Sequence, residues 1–456
     1  MEQITLDFIL NATGGRLTRA CFNSLCDDVS TDTRTIKPGS LFIALKGENF
    51  DGNDYLETAF KNGAAIAVAE RACPQWPVVL VKDSMVALRQ LATAYRERFT
   101  LPVVGVTGSV GKTSTKEMIY AVLSQKFCTH KNKGNLNNLI GMPMSVLQLT
   151  NEHQAAVFEM GMNAFGEISA LTKIAQPNIA LITNIGMSHI GMLGSQENIL
   201  KAKMEILEGL KPGGTLLLNG DDRFLSTVQT DKAKIVTYGI ENENCAFTAR
   251  NIQQDETGLS FTVCYPDGEV SARLPVLGRH NLYNALAAFA CGQMLGLAPE
   301  EITAGFLAYQ NTGFRQKIEK KRGVTFVEDC YNASPDSMSA AFDVLNSVQA
   351  QGRRFAVLAD MLELGESAPE AHRTVGRAVA KNKIDVLYSY GENARYYVEG
   401  YKEAGGRDGI CFTDKISLAD KLCQELKEGD AVLFKGSRGM RLEEVIQKVG
   451  ERWTSQ

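Results

Sequence analysis

The stretch VVGVTGSVGKTST, residues 103–115, reads as an apolar strand that runs directly into a glycine-rich turn and then into a helix. The turn resembles the phosphate-binding loop Gly-x4-Gly-Lys-Ser/Thr, although Val106 stands where that pattern has its first glycine. Successive backbone N–H groups and the start of the following helix still form a site for an anion. A chance glycine turn is the alternative, but a strand before and a helix after the turn favour nucleotide binding.

Within this turn, two side chains have predicted roles on a nucleotide. Lys112 is expected to reach the β- and γ-phosphates of ATP, and the Thr113 hydroxyl can bind Mg²⁺. The predicted nucleotide loop comprises Thr107, Gly108, Ser109, Val110, Gly111, Lys112 and Thr113. Kinases, GTPases and ligases all use such a loop, so it does not identify the reaction.

Length, charge and cysteine placement narrow the class of protein. A chain of 456 residues is too long for one core and suggests about three domains. The net charge of −4 argues against a nucleic acid partner. The ten cysteines are scattered and form no Cys-x-x-Cys pair, which indicates buried thiols in a reducing compartment. With no signal peptide and no run of about 18 apolar residues, we expect a cytoplasmic protein without a membrane span.

The pattern of strands and helices predicts an α/β protein of three domains. Residues 1–100 alternate short strands with helices and form a small α/β domain. Residues 101–314 contain near-continuous apolar strands separated by helices, which indicates a mostly parallel sheet covered on both faces, with a small antiparallel patch at 245–275. Residues 315–456 resemble a Rossmann-like α/β domain, but no Gly-x-Gly-x-x-Gly follows its first strand, so no dinucleotide is predicted there.

Three further side chains are candidates whose roles the bare sequence leaves open. Glu159 ends a predicted strand and could share a Mg²⁺ with Thr113, or it could be a surface carboxylate at a strand end. His189 follows the next strand and could bind a metal or move a proton, or it could be an ordinary loop histidine. Lys203 lies on a helix with i,i+4 charge pairs, where every lysine would normally face solvent.

Taken together and in this order, five motifs resemble those of the Mur ligase superfamily, which joins an amino acid or dipeptide to a carboxylate with ATP. The motifs are TGSVGKT, FEMG, TNIGMSH, KAKMEI and GRHNLYNALAA. Four more resemble the branch that adds D-alanyl-D-alanine to a UDP-N-acetylmuramoyl tripeptide. They are STDTRTIKPGSLFIALKGENFDG (30–52), GNLNNLIGMPMSVL (134–147), EDCYNASPDSM (328–338) and AVLADMLELGE (356–366).

The resemblance implies roles for individual residues. Lys112, His189 and Lys203 would serve catalysis, and Thr113, Glu159 and His189 would bind Mg²⁺. Lys203 matches a lysine that family members often carbamylate, which would make it a further metal ligand. The remaining implied ATP-binding residues are Asn281, Arg315, Asp329, Tyr331 and Asn332.

Substrate residues are also implied by the resemblance. The uridine-nucleotide segment would use Ser30, Thr31, Asp32, Thr33, Arg34, Lys46 and Asp51 in the first domain. The segment facing the acceptor nucleotide would use Asn135, Asn137 and Asn138, and the dipeptide end would use Ser437 and Arg438. We expect a monomer that binds these small molecules and ATP.

The implied reaction is an amide ligation through an acyl phosphate. The carboxylate of the tripeptide takes the γ-phosphoryl group of ATP, and the amine of D-alanyl-D-alanine then displaces phosphate. Closure of three domains would exclude water from the acyl phosphate. Two alternatives remain: another ligase of the superfamily, such as a folylpolyglutamate synthase or a different Mur enzyme, and a nucleotide-binding regulatory protein without ligase activity.

Overall fold

Three large sheets and one two-stranded antiparallel sheet organise the chain in the computed structural model, which describes residues 1–21, 25–311, 313 and 315–454. Each sheet lies in one of the three predicted domains, so the predicted three-domain α/β architecture is confirmed. Phe314, in the predicted junction between the second and third domains, lies outside the described residues, and the exact domain boundaries stay predictions. No helix of the described chain is long and apolar enough to cross a membrane.

A five-stranded sheet with the order β2-β7-β6-β5-β4 forms the first domain. Its strands pair in parallel except for β2, which runs antiparallel to β7. The elements are β1 (Ile4–Thr5), α1 (Leu6–Thr13), β2 (Arg16–Leu17), β3 (Leu25–Cys26), β4 (Val29–Ser30), β5 (Leu41–Ile43), α2 (Leu56–Lys61), β6 (Ile66–Ala69), β7 (Val78–Leu80) and α3 (Ser84–Arg96).

The second domain is built on a nine-stranded sheet with the order β16-β15-β14-β13-β12-β11-β8-β10-β9. The strands from β8 to β14 are parallel, and β14, β15 and β16 form an antiparallel meander, as predicted for residues 245–275. The strands are β8 (Val103–Thr107), β9 (Thr129–Lys131), β10 (Ala155–Glu159), β11 (Ile179–Ile182), β12 (Thr215–Asn219), β13 (Lys234–Gly239), β14 (Phe247–Asp255), β15 (Gly258–Tyr265) and β16 (Gly268–Leu274). The helices are α4 (Lys112–Leu123), α5 (Gly141–Val146), α6 (Glu167–Ala175), α7 (Ile190–Leu193), α8 (Gln196–Met204), α9 (His280–Met294) and α10 (Pro299–Ala308).

A six-stranded sheet with the order β17-β18-β22-β19-β20-β21 forms the third domain. All its pairings are parallel except that of β17 with β18. The elements are β17 (Lys317–Lys321), β18 (Val324–Asp329), α11 (Pro335–Ser347), β19 (Arg354–Ala359), α12 (Ala368–Lys381), β20 (Val386–Tyr390), α13 (Ala394–Glu403), β21 (Asp408–Phe412), α14 (Lys415–Glu425), β22 (Ala431–Lys435) and α15 (Glu443–Thr454).

The first two domains share one hydrophobic core. Apolar residues of α3 pack in the same cluster as those of α5 and α6. Arg96, at the end of α3, is fully buried and donates hydrogen bonds to the carbonyls of Ala175 (3.0 Å), Phe99 (2.6 Å) and Leu101 (3.2 Å). Burial lowers the pKa of this guanidinium group to about 10. The first and second domains are therefore joined by a tightly packed interface with a shared hydrophobic core.

Candidate active site

A cleft of about 900 Å³ lies where the second and third domains face each other. The parallel strands β8, β10 and β11 end at one edge of the central sheet, so the segments that follow them meet in this cleft. The third domain contributes the segments after β18 and β22. Fourteen residues predicted from the sequence line the cleft: Ser109, Val110, Gly111, Lys112, Thr113, Asn135, Asn137, Asn138, Glu159, His189, Arg315, Asp329, Tyr331 and Asn332.

The glycine-rich turn is held in shape by the end of β11. Asn184 accepts a hydrogen bond from the backbone N–H of Val110 (2.9 Å), and its Nδ2 donates to the Val110 carbonyl (2.9 Å). Thr183 Oγ1 also donates to that carbonyl, at 2.7 Å. Gly108 has φ +149°, and a Cβ there would collide with Thr183 Oγ1. These contacts fix the backbone of the turn around an anion site, and α4 starts directly behind it at Lys112.

Two residues of the predicted loop hold the turn against the neighbouring strands and lie outside the cleft lining. The hydroxyl of Thr107 is buried and donates to the Met160 carbonyl at 2.9 Å, which ties β8 to β10. Gly108 packs against Thr183, as described above. Neither residue lines the cleft, so their contribution to a nucleotide site is the shape of the turn.

Lys112 lies at the mouth of the turn, and its hydrogen-bond partners among the described residues are neutral oxygens. Its Nζ donates to the carbonyls of Gly108 (2.7 Å) and Ser109 (3.2 Å). Burial lowers its pKa, Glu159 counteracts that shift, and the charge of Arg315 lowers the pKa further. An ammonium group in such surroundings gains strongly from an anion, which suits a phosphate group.

Thr113 and Glu159 form the pair of oxygens that the sequence predicts as a magnesium site. Thr113 Oγ1 donates to Glu159 Oε2 at 2.8 Å, and Asn137 Nδ2 donates to Glu159 Oε1 at 2.7 Å. The ammonium group of Lys116, which is fully buried, lies 3.8 Å from Glu159 Oε2 and 3.1 Å from Glu117 Oε1. The Glu159 carboxylate is thus held in one orientation on three sides.

This donor set fits Mg²⁺. Within the described residues, no group of three or more His, Cys, Asp or Glu side chains forms a complete protein cage for a metal ion. Mg²⁺ is typically bound by one or two protein oxygens together with phosphates and waters, which is what a hydroxyl and one carboxylate beside a phosphate loop offer.

His189 lies at the start of the short helix α7 and lines the same cleft. Its backbone is left-handed, with φ +65°. Its Nδ1 is 2.8 Å from Oε2 of Glu363, a residue of the third domain. The contact lowers the pKa of the Glu363 carboxyl. The structure therefore brings His189 into the predicted site and pairs it across the domain boundary.

Lys203 is buried on α8 and is not part of a solvated helix face. Only 1% of its surface is exposed, whereas Lys201 on the same helix is exposed. Burial lowers the pKa of Lys203 well below its ordinary value, and the charge of Lys112 lowers it further. A neutral amine at this position is what carbamylation by CO₂ would require.

The third domain presents a stacked pair and an ion pair to the cleft. The guanidinium carbon of Arg315 lies 3.9 Å from the ring centre of Tyr331. Lys435 is buried, and its Nζ is 2.5 Å from Asp329 Oδ2 and 3.1 Å from the Asn332 carbonyl. An aromatic ring beside a carboxylate and an arginine can hold a base, a ribose and phosphates, so this group suits a nucleotide.

Asn281 lies behind the cleft wall. Its Nδ2 donates to the Leu277 carbonyl (2.8 Å) and to Gln316 Oε1 (3.0 Å), and its Oδ1 accepts from Asn284 Nδ2 (3.0 Å). The side chain is 1% exposed. Asn284, three residues later on α9, is the one that lines the cleft. The predicted adenine contact of Asn281 stays a prediction.

The predicted uridine-nucleotide residues lie outside this cleft. Asp32 forms an ion pair with Arg34 at 2.6 Å, and the hydrogen bonds from Arg34 lower the Asp32 pKa to about 2. Asp51 Oδ1 accepts from Asn53 N at 2.9 Å, and its other oxygen pairs with Arg71. The remaining members of the predicted segment are Ser30, Thr31, Thr33 and Lys46, and their substrate role stays a prediction.

The two predicted dipeptide residues have structural partners. Ser437 Oγ accepts from the backbone N–H of Leu362 at 2.9 Å. Arg438 Nη1 lies 2.7 Å from Glu443 Oε1. Neither residue lines the cleft, so their assignment to the dipeptide also stays a prediction.

Sequence reasoning missed several cleft residues that its own motifs contain. Asn284 lies in GRHNLYNALAA, Asp336 in EDCYNASPDSM and Glu363 in AVLADMLELGE, and Lys435 lies two residues before the predicted dipeptide residue Ser437. Asp336 reaches across the domain boundary to the Met187 N–H at 3.4 Å, and burial raises its pKa. Their position as polar residues inside or next to motifs that carry other site residues is the feature of the sequence that could have identified them.

Known proteins resemble this chain along nearly its whole length. The UDP-N-acetylmuramoyl-tripeptide–D-alanyl-D-alanine ligase of Bacillus subtilis (strain 168) is 41% identical over 429 residues, which cover 93% of each chain. The crystal structure of MurF from Acinetobacter baumannii has a TM-score of 0.93 at 32% identity and covers 99% of both chains. MurF ligase from Thermotoga maritima in complex with ADP has a TM-score of 0.84 at 29% identity and covers 93% of this chain and 97% of that one.

Family models match each of the three domains. "Mur ligase family, catalytic domain" matches residues 27–96, "Mur ligase middle domain" matches 106–292, and "Mur ligase, glutamate ligase domain" matches 315–438. These family matches and the relatives above identify the chain as an ATP-dependent peptide ligase. The chain belongs to the Mur ligase family.

Proposed function

We propose that the protein is an ATP-dependent amide ligase that adds D-alanyl-D-alanine to UDP-N-acetylmuramoyl tripeptide, giving the pentapeptide precursor of peptidoglycan, ADP and phosphate. The observation that carries this proposal is the cleft in which the Lys112 turn and the Thr113–Glu159 pair face Arg315 and Asp329 of the third domain. The relatives named above act on these substrates according to their names.

The chain's own groups have defined tasks in this reaction. The N–H groups of the turn and Lys112 bind the phosphates and stabilise the charge that develops as the γ-phosphoryl group moves to the substrate carboxylate. Arg315 approaches the same phosphates from the third domain. Mg²⁺, held by Thr113 and Glu159 and on a second site by His189, would neutralise phosphate charge when bound.

The second half of the reaction needs a dry, closed cleft. The amine of the dipeptide attacks the acyl carbon, its proton leaves, and phosphate departs with the oxygen that came from the carboxylate. Water would hydrolyse the acyl phosphate, so the third domain must cover the site. Two contacts hold the third domain against the second at this site: His189 with Glu363, and Met187 with Asp336.

Substrate placement follows the domains. Residues 1–100 would bind the UDP group, with Ser30 to Arg34, Lys46 and Asp51 near it. Asn135, Asn137 and Asn138, which line the cleft, would face the acceptor peptide. The third domain would bind the dipeptide, with Ser437 and Arg438 at its end. Lys203, as a carbamate, would add oxygen ligands for the metal. We further propose that the enzyme is a cytoplasmic monomer.

A matrix of substrates tests this function. UDP-N-acetylmuramoyl peptides of different length are each combined with D-alanyl-D-alanine and with single amino acids, and phosphate release from ATP is measured. We expect release only with the tripeptide and the dipeptide together. Turnover with a single amino acid would identify a different ligase of the family. Hydrolysis of ATP without any acceptor would point to a nucleotide-binding regulator.

A further inference from the structure

A loop of the third domain touches the short helix that carries His189. The backbone N–H of Gly191 donates to the Glu363 carbonyl at 3.2 Å. A Cβ on Gly191 would lie 2.7 Å from Gly365 N and 2.9 Å from the Glu363 carbonyl oxygen. Only a residue without a side chain permits this approach of two backbones. The contact therefore exists only when the third domain lies against α7.

At the same place, the side chains of His189 and Glu363 meet. Nδ1 of His189 is buried and 2.8 Å from Glu363 Oε2, although the N–H direction falls outside good hydrogen-bond geometry. Glu363 is half exposed at the rim of the cleft and has no other ion pair within the described part of the chain. Because Nδ1 faces the carboxylate, Nε2 is the ring nitrogen left for a ligand in the cleft.

We infer that Glu363 is a positioning residue that acts through Nδ1 of His189, and that it does so only when the third domain closes. An imidazole that binds a metal usually donates its other N–H to a carboxylate, which fixes the tautomer and the ring orientation. Here that carboxylate comes from another domain. Domain closure and the orientation of His189 are then one event, so the site is complete only while the third domain lies against α7. This inference rests on the proposed function of His189.

The chain offers three variants that separate this role from folding. Glu363→Ala removes the carboxylate, and Glu363→Gln keeps an oxygen that can accept from Nδ1–H. Gly191→Ala touches neither side chain but forces the two backbones apart. Glu366→Gln, an exposed carboxylate three residues after Glu363, is the matched control.

The first measurement is the tautomer of His189, read by nitrogen NMR of protein labelled with ¹⁵N-histidine. The sample contains a non-hydrolysable ATP analogue and Mg²⁺, and a His189→Gln variant assigns the signal among the five histidines. We expect one tautomer, protonated at Nδ1, in the wild type, in Glu363→Gln and in the control. Glu363→Ala and Gly191→Ala should show a mixture.

The second measurement is the affinity for Mn²⁺ by electron paramagnetic resonance with the same analogue. We expect the weaker of two Mn²⁺ sites to lose about 10-fold in affinity in Glu363→Ala and in Gly191→Ala, and kcat to fall while the KM for ATP is unchanged. An unchanged tautomer and unchanged Mn²⁺ affinity in both variants would overturn the inference. The tautomer and the Mn²⁺ affinity are both measured without the peptide substrates, so a failure of the proposed reaction would be recognised separately.

Discussion

Thr113 and Glu159 come from different elements of the central domain and meet at 2.8 Å, at the carboxyl edge of the sheet. Glu159 ends β10, and Thr113 lies in the first turn of α4, which follows the neighbouring strand β8. Parallel pairing of β8 with β10 thus places a hydroxyl and a carboxylate beside the phosphate loop.

Replacing Lys112 should abolish turnover and leave the fold intact. Lys112→Ala removes an ammonium group that, within the described residues, donates to two carbonyls of its own turn. We expect kcat to fall about 100-fold or more, because a charge aimed at the transferred phosphoryl group is lost. Lys126→Ala, an exposed lysine just after α4, is the control. Near-normal activity and unchanged ATP affinity in Lys112→Ala would show that the turn does not bind phosphates.

Replacing Glu159 should raise the Mg²⁺ requirement. Glu159→Gln keeps the size of the side chain but removes the charge next to Thr113 and Lys116. We expect a higher Mg²⁺ concentration for half-maximal activity. We also expect a loss of about 1–3 kcal/mol in unfolding free energy, since the buried Lys116 loses one of its two carboxylate partners. Glu152→Gln, an exposed carboxylate of the same domain, should change neither quantity. An unaltered Mg²⁺ dependence would remove Glu159 from the metal site.

Replacing Lys203 should show whether the amine acts as a carbamate. Formation of the carbamate joins the neutral amine to CO₂ and releases one proton. We expect Lys203→Ala and Lys203→Arg to be nearly inactive, because neither can form it, and we expect a short-chain carboxylate to restore part of the rate of Lys203→Ala. Lys201→Ala, on the exposed face of the same helix, should be fully active. A fully active Lys203→Arg enzyme would contradict the prediction.

Replacing Arg96 should loosen the joint between the first two domains. Arg96→Met leaves the carbonyls of Ala175, Phe99 and Leu101 without their donor. We expect a loss of about 3 kcal/mol or more in unfolding free energy, because each unpaired buried acceptor costs about 1–3 kcal/mol. Arg89→Met, on the same helix, is the control. Thermal or denaturant unfolding measures the difference, and equal stability of the two variants would argue against a packed joint.

The sequence predicts well what is encoded locally. The turn at residues 107–113, the parallel strands around it and the antiparallel patch at 245–275 each follow from a short pattern, and the structure confirms the fold that they imply. Glu159 and His189 were candidates because each follows a predicted parallel strand, and such strands end at one edge of a sheet; both residues line the cleft, and their roles stay predictions.

Pairings between distant strands and domains could not be predicted in this way. Asp329 and Lys435 are register partners because β18 lies next to β22 in the sheet, although the two strands are far apart in the chain. Glu363 meets His189 only through the packing of two domains. The burial of Lys203 also depends on tertiary packing, because the charge pattern of a helix does not show which of its faces other elements cover.

Mass spectrometry of the nucleotide product tests the proposed ligation most directly. UDP-N-acetylmuramoyl tripeptide with ¹⁸O in its terminal carboxylate is incubated with ATP, Mg²⁺ and D-alanyl-D-alanine. We predict a product heavier by the mass of one dipeptide less that of one labelled water, with the lost ¹⁸O in the released phosphate and one phosphate per product. Phosphate without ¹⁸O, or ATP turnover without the pentapeptide product, would contradict it.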